Sequence, residues 1–166
     1  MENSTLILDS KAVKQKLNRM AYQILEDVYQ DEEVVFLGIA KNGYLIAEQL
    51  AELVNPKKPV QLVKVSIDKE KPSQNEVKLS VDIAELAGKV VVIFDDVANT
   101  GRILTYATKP LLEIPTKKIR VVVLVDRKHK RYPISADIVG LSLATTHQEH
   151  ISVQFSASGQ ASVYLD

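Results

Sequence analysis

Residues Val90-Val-Val-Ile-Phe94 form an unbroken apolar run that closes on Asp95-Asp96. Such a run has no helical period, so it predicts a parallel strand buried on both faces. Val97-Ala-Asn-Thr-Gly101 follows, small and polar enough to turn tightly, and residues 102–109 suit a helix. Two other segments share the plan. Residues 34–39 are a strand-like run leading through Ala40-Lys-Asn-Gly43 into a helical stretch, 44–54, that Asn55-Pro56 stops. Residues 119–125 form a third run, ending at Asp126-Arg127. Strands alternating with helices in this order predict an α/β fold with a mainly parallel sheet flanked by helices.

In open α/β sheets ligands bind beyond the carboxyl ends of the strands, which is where this order puts the two acids. A loop feeding a helix N-terminus offers N–H groups to a phosphate, Thr100 adds a hydroxyl, and Gly101 lets the backbone approach an anion closely. Two carboxylates beside a phosphate cradle would repel it unless they held something else, such as sugar hydroxyls or a metal-bridged group. A phosphorylated sugar satisfies both halves. The loop 40–43 is a second strand-to-helix turn with a glycine and a cation, but Tyr44-Leu45 stands where a Walker loop needs Lys and Ser/Thr.

The other segments support this centre. Asp9 or Ser10 can cap a helix to about Tyr29, with Val13, Leu17, Met20, Ala21, Ile24, Leu25 and Val28 on one face. Residues 60–67 read as a strand. The charged stretch 68–78 that follows lacks periodicity and reads as a long functional or mobile loop. Pro110 is expected to kink the last turn of the helix after the acids. Residues 136–140, 151–155 and 162–165 read as short strands, the last two joined through Ser158-Gly159. His147 and His150 read as polar loop residues rather than metal ligands.

The length of 166 residues suits a single domain, 1–166, with a core large enough to need no staples. With 21 basic and 21 acidic residues the net charge is zero, which gives no bulk attraction to nucleic acid or a membrane surface. The absence of cysteine removes disulfides and thiol chemistry, and fits a cytoplasmic protein. No stretch reaches the roughly 20 apolar residues of a membrane span.

The order in residues 91–102, an apolar strand, two acids, a short variable stretch and Thr-Gly, resembles the phosphoribosyl pyrophosphate (PRPP) signature of type I phosphoribosyltransferases. Beyond it, Val125-Asp-Arg-Lys-His-Lys-Arg-Tyr-Pro-Ile-Ser-Ala-Asp-Ile-Val-Gly140 is similar to the PyrR family, pyrimidine operon attenuators that also have uracil phosphoribosyltransferase activity. The opening helix, the strand ending at Gly43 and the tail ending Val163-Tyr164 align with that family in order. The resemblance implies a single-domain type I phosphoribosyltransferase fold with a small hood and a flexible loop. It implies Mg²⁺-PRPP and a nucleobase, uracil foremost, as reactants, and a homodimer or larger homo-oligomer.

Carried onto this chain, the resemblance makes Asp95 and Asp96 the catalytic pair, binding ribose hydroxyls and Mg²⁺ directly or through water. Ala98, Asn99, Thr100, Gly101 and Arg102 would hold the 5′-phosphate. Lys41, Asn42, Gly43 and Arg127 would serve pyrophosphate, and Asp126, Ile138 and Val139 the base side. Three departures qualify it. Asn99 stands where hypoxanthine-guanine enzymes have an aspartate that works on a purine ring proton, which weighs against the 6-oxopurine alternative. Asn42 stands where PyrR proteins have an arginine, leaving Lys41 as the nearest cation. The segment after Gly140 lacks the family's lysines, which counts against RNA binding. A PRPP or nucleotide sensor with little catalysis remains the other reading.

Overall fold

The computed structural model describes residues 4–166 of the chain. Strand β1 (Thr5–Leu8) leads into helix α1 (Ser10–Val28), whose N-cap Asp9 accepts a hydrogen bond from the Ala12 amide at 2.8 Å. The chain continues through β2 (Val34–Ile39), α2 (Asn42–Val54), β3 (Val60–Ser66), β4 (Lys78–Leu79), β5 (Val90–Ala98) and α3 (Arg102–Thr108). It ends with β6 (Lys118–Asp126), β7 (Ile138–Ser142), β8 (Ile151–Phe155) and β9 (Ala161–Leu165).

A six-stranded sheet runs β4-β3-β2-β5-β6-β7, parallel except for the short antiparallel edge strand β4. All six residues of β2 are buried, as a central strand covered on both faces requires. Its side chains alternate: Val34 and Phe36 face the layer of α1 and α2, while Val35, Leu37 and Ile39 face the layer of α3. β5 repeats the pattern, with Val90, Val92 and Phe94 in the first core and Val91 and Ile93 in the second. Phe36 pairs in register with Val92 and Phe94 with Gly38, and the two rings meet diagonally across the strands at 4.6 Å.

The first and the last two strands form a separate antiparallel sheet, β1-β9-β8. Alternation along residues 151–155 and 161–165 makes the hairpin legible, but its pairing with residues 5–8 joins the two ends of the chain and carries no local signal. Ile151, Val153, Ala161 and Val163 point their apolar face into the same core as α1 and α2, so this small sheet stands as a hood over one end of the large one. The hood is therefore built from β1, β8 and β9. β7, which carries Ile138 and Val139, is the edge strand of the main sheet and lies outside this hood.

Two other boundaries differ from the sequence expectation. β5 runs on through the acids to Ala98, because Asp95, Val97 and Ala98 keep pairing with β6. Pro110 kinks nothing: α3 has ended at Thr108, and the proline lies in a 3-10 turn, Lys109–Glu113, where its missing N–H costs little. Among the described residues no helix is long and apolar enough to cross a membrane.

Candidate functional site

The carboxyl ends of β2 and β5 lie side by side, and the loops leaving them border one open cavity of about 300 Å³. Its walls are Asn42 in the first turn of α2, the chain from Asp95 to Leu104, residues 150–153 of the hood, and Lys69 from the charged loop.

Asp95 is only 5 % exposed, and its Oδ1 accepts the Asp96 amide at 2.9 Å. Its Oδ2 has no protein donor, yet among the described residues no sealed side-chain oxygen lacks a partner, so Oδ2 opens to the cavity. Burial above all, and then the charge of Asp96, hold this carboxyl well above the usual carboxylate range, while Lys69 pulls the other way. The pair therefore resists carrying two negative charges at once. Asp96 is half-buried, with Oδ1 accepting from the Val97 amide at 2.8 Å and Oδ2 from Asn42 Nδ2 at 2.9 Å. The same Nδ2 donates to the Val153 carbonyl at 3.0 Å, so one amide joins α2, β5 and the hood.

Gly43 lets α2 reach the acids. A Cβ there would lie 2.6 Å from the Phe94 carbonyl oxygen, 2.9 Å from Asp95 Cα and 3.1 Å from Asp95 Oδ1. Two backbones meet, and neither can step aside cheaply. Gly43→Ala is expected to destabilise the fold by about 1–3 kcal/mol, read as a lower urea midpoint with unchanged m-value. An unchanged midpoint would show the contact to be soft.

The turn itself is confined to residues 99–101. Its carbonyls point into the protein: Ala98 O accepts from Arg127 N at 3.0 Å, Thr100 O from Arg131 N at 2.9 Å and Tyr132 N at 3.1 Å, and Gly101 O from Thr105 N at 2.9 Å. The amides of Asn99, Thr100 and Gly101 find no acceptor among the described residues, and all three residues line the cavity. Gly101 has φ +83°, and a Cβ on it would lie 2.8 Å from Ile134 Cγ2, so this turn requires glycine twice over. Since α3 is only Arg102–Thr108, the row of loop amides, more than a long helix dipole, makes the anion cradle.

Of the residues expected in the site, the structure brings together Asn42, Asp95, Asp96, Ala98, Asn99, Thr100, Gly101 and Arg102. The Arg102 guanidinium reaches sideways, with Nη2 donating to the Lys69 carbonyl at 2.7 Å, and so ties the charged loop to the cradle. That loop is ordered on itself by Asp68, which accepts from the amides of Glu70 and Lys71 and from Asn75 Nδ2.

Other expected residues lie off the cavity. Lys41 is exposed at the start of α2, and Gly43 packs beneath Asp95. Asp126 is engaged by Lys130 at 2.6 Å. Arg127 is buried behind Asn99, with every nitrogen bonded to protein. That geometry removes its guanidinium from the pyrophosphate contacts expected of it. Ile138 belongs to the core beside α1, Val139 packs on the opposite face, and neither borders the cavity. Lys69, His150, Ser152 and Val153 line the cavity without having been singled out for it. Lys69 sits in the charged insertion, which was a signal of a kind, whereas the hood residues arrive only through tertiary packing.

Among the described residues no cluster of three or more His, Cys, Asp or Glu side chains is arranged for a metal ion. Two neighbouring carboxylates, one with a free oxygen open to the cavity, suit the way Mg²⁺ is held in phosphate sites, by one or two acids with water and substrate phosphates completing the shell.

Residues 3–158 match the family model described as a phosphoribosyl transferase domain. The chain is 34% identical over 168 residues to the "Bifunctional protein PyrR" of Clostridium novyi, covering 94% of this chain and 93% of that protein. It is 37% identical over 161 residues to the protein of the same name from Ligilactobacillus salivarius, covering 89% of each. Among solved structures it is similar to the hypoxanthine phosphoribosyltransferase of Trypanosoma cruzi, with TM-score 0.76, 16% identity and coverage of 97% and 95%. A hypoxanthine-guanine phosphoribosyltransferase of Bacillus anthracis gives TM-score 0.75 at 20% identity, covering 91% and 87%. At such identities the likeness is one of fold, that of the type I phosphoribosyltransferases.

Proposed function

The chain belongs to the phosphoribosyltransferase family, and from that premise we propose that it transfers the phosphoribosyl group of Mg²⁺-PRPP to a nucleobase, uracil foremost, releasing pyrophosphate. One observation carries the reading: three unpaired backbone amides and two acids, one of them buried, face a single cavity.

The amides of residues 99–101 and the Thr100 hydroxyl take the 5′-phosphate, which leaves the ribose over Asp95 and Asp96. As the bond from C1 to pyrophosphate lengthens, positive charge grows on C1 and the ring oxygen. Burial raises the pKa of Asp95, and a positive charge above the pair favours its ionised form. The acids thus interact more strongly with the transition state than with the ground state, and that difference speeds the step. Bound Mg²⁺ would neutralise charge on the leaving diphosphate. Asn42 fixes Asp96 from one side. Lys69, held over the cavity through Arg102, supplies a cation on the side from which water would enter. Lys41, at the mouth of the second loop, is free to meet the outgoing pyrophosphate. No side chain acts as a nucleophile.

The relatives' name speaks of two functions. Residues 144–149 here contain no lysine or arginine, and their backbone is bonded to Arg127, so RNA binding forms no part of the proposal. The test is pyrophosphate release from PRPP, with and without Mg²⁺, across uracil, hypoxanthine, guanine, xanthine, adenine and orotate. Release that requires Mg²⁺ and is fastest with uracil is expected. Tight PRPP binding with no release for any base would make the protein a sensor instead.

A further inference from the structure

Asp126 closes β6 beside Ala98, its partner in register, at the point where β5 gives way to the turn 99–101. Its Oδ1 accepts two donors, the Lys128 amide at 3.0 Å and Lys130 Nζ at 2.6 Å. The ion pair is shielded from water, with the Lys130 and Asp126 side chains 22 % and 15 % exposed. Lys128, which lies between the two partners, has φ +58°, a left-handed conformation that costs a lysine free energy. The Asp126 contacts therefore hold this loop against the preference of its own backbone. The stem of Lys130 then lies over the turn, since a Cβ on Gly101 would come 3.3 Å from Lys130 Cδ. Neither Asp126 nor Lys130 borders the cavity.

The loop folded in this way takes up the carbonyls of the turn. Ala98 O accepts from Arg127 N at 3.0 Å, and Thr100 O accepts both Arg131 N at 2.9 Å and Tyr132 N at 3.1 Å. In a planar trans peptide unit the C=O of one residue and the N–H of the next point in opposite directions. A carbonyl drawn back into the loop therefore turns the following N–H out on the other side. Ala98 O fixes the direction of the Asn99 N–H, and Thr100 O that of the Gly101 N–H. Both residues line the cavity, and neither amide has an acceptor among the described residues. Two of the three donors of the cradle are thus aimed from behind, and donors aimed in advance spend no free energy on turning when an anion arrives.

We propose that Asp126 and Lys130 are a positioning pair that folds the 127–132 loop against the turn and so aims the cradle amides at the phosphate of a sugar phosphate. The inference rests on the transferase reading and deepens it: affinity for the 5′-phosphate is set by an ion pair that never touches the phosphate. Asp126 then serves the cradle and not the base side. Arg131 and Tyr132 contribute through their backbone amides.

The probe is ribose 5-phosphate, which carries the phosphate without pyrophosphate or base. Its Kd is measured by calorimetry on the full chain as wild type, Asp126→Asn, Asp126→Ala, Lys130→Met and the double variant Asp126→Ala with Lys130→Met. Asp126→Ala is expected to weaken binding about tenfold or more, whereas Asp126→Asn, which still offers an acceptor, should lose much less. Lys130→Met should weaken binding less than Asp126→Ala, because the Lys128 contact stays, and should add almost nothing once Asp126 is alanine. The amide resonances of Asn99 and Gly101 should shift when ribose 5-phosphate is added to wild type and respond less in Asp126→Ala, a selective change that lowered stability alone does not produce. In turnover, KM for PRPP should rise while kcat and KM for the base hold. If Asp126→Ala binds ribose 5-phosphate as wild type does, or raises KM for the base instead, Asp126 belongs to the base side and the proposal is overturned. Effects of the two substitutions that multiply overturn it as well. Should Asp126→Ala fail to fold, Lys130→Met decides, and wild-type affinity in that variant sinks the idea. Should wild type turn over no base, the transferase reading fails by itself. The ribose 5-phosphate affinities need no turnover and still decide the inference, and a wild type that does not bind the probe overturns it.

Discussion

Asp95→Asn combined with Asp96→Asn is expected to lower kcat by about 10³-fold or more with the chain still folded. The asparagines keep the size of the acids and leave an oxygen to accept the Asp96 and Val97 amides, while the contact from Asn42 Nδ2 is lost because the second end of an amide at position 96 is itself a donor. What they lose is negative charge beneath a ribose ring that becomes cationic, an interaction that matters most at the transition state. KM for PRPP should move less than kcat, because the row of amides at residues 99–101 is untouched. A double variant retaining more than a tenth of wild-type kcat would remove the acids from the mechanism.

The single change Asp95→Asn carries an opposite signature in stability. The folded carboxyl titrates well above its unfolded value because it is buried beside Asp96. A group raised in this way favours the native state while it is protonated, and that contribution is lost as pH rises through the folded value. Above it, the wild type must hold a poorly solvated charge that asparagine never bears. Asp95→Asn should therefore melt higher than wild type at pH 8, with the gap shrinking as the pH is lowered. A gap that grows toward acid would contradict the assigned cause.

The second large effect is on the fold beneath the site. Phe94 is fully buried, packs against Phe36 at 4.6 Å and immediately precedes Asp95. Phe94→Ala removes most of a ring from the core shared by α1, α2 and β5, and is expected to cost about 3–5 kcal/mol. Its carbonyl also lies where a Cβ on Gly43 would go, so collapse of the hole should move the first turn of α2 relative to the acids. Urea unfolding of Phe94→Ala and Phe94→Leu separates the two consequences. Leucine should recover much of the stability, and turnover should follow only if the acids keep their place. A loss below about 1 kcal/mol for alanine would mean that this core is not close-packed.

The central strands were legible because a strand covered on both faces must be apolar throughout: the β2, β5 and β6 runs announce themselves, as does the Asp9 cap of α1. The cradle was legible because glycine at position 101 and small residues around it have a backbone reason to be there. What could not be read was set by partners far along the chain. Arg127 looks like a free cation at a strand end until Thr146 and Glu149 fold back on it. Ile138 and Val139 lie at the right place in sequence for a wall, but their edge strand turns one into each core. The grip of the Arg102 guanidinium on the Lys69 carbonyl likewise has no signal in the residues around it.

The Asn42 side chain has a consequence for product departure. Its single nitrogen spans Asp96 and the Val153 carbonyl, so the hood cannot swing outward from β5 without stretching one of those two contacts. If the Val153 link parts first, the amide stays with the acid and the exit opens while the reactive floor keeps its shape. If the Asp96 link parts first, each exit event also unsettles the floor, and the next turnover must wait for it to reset.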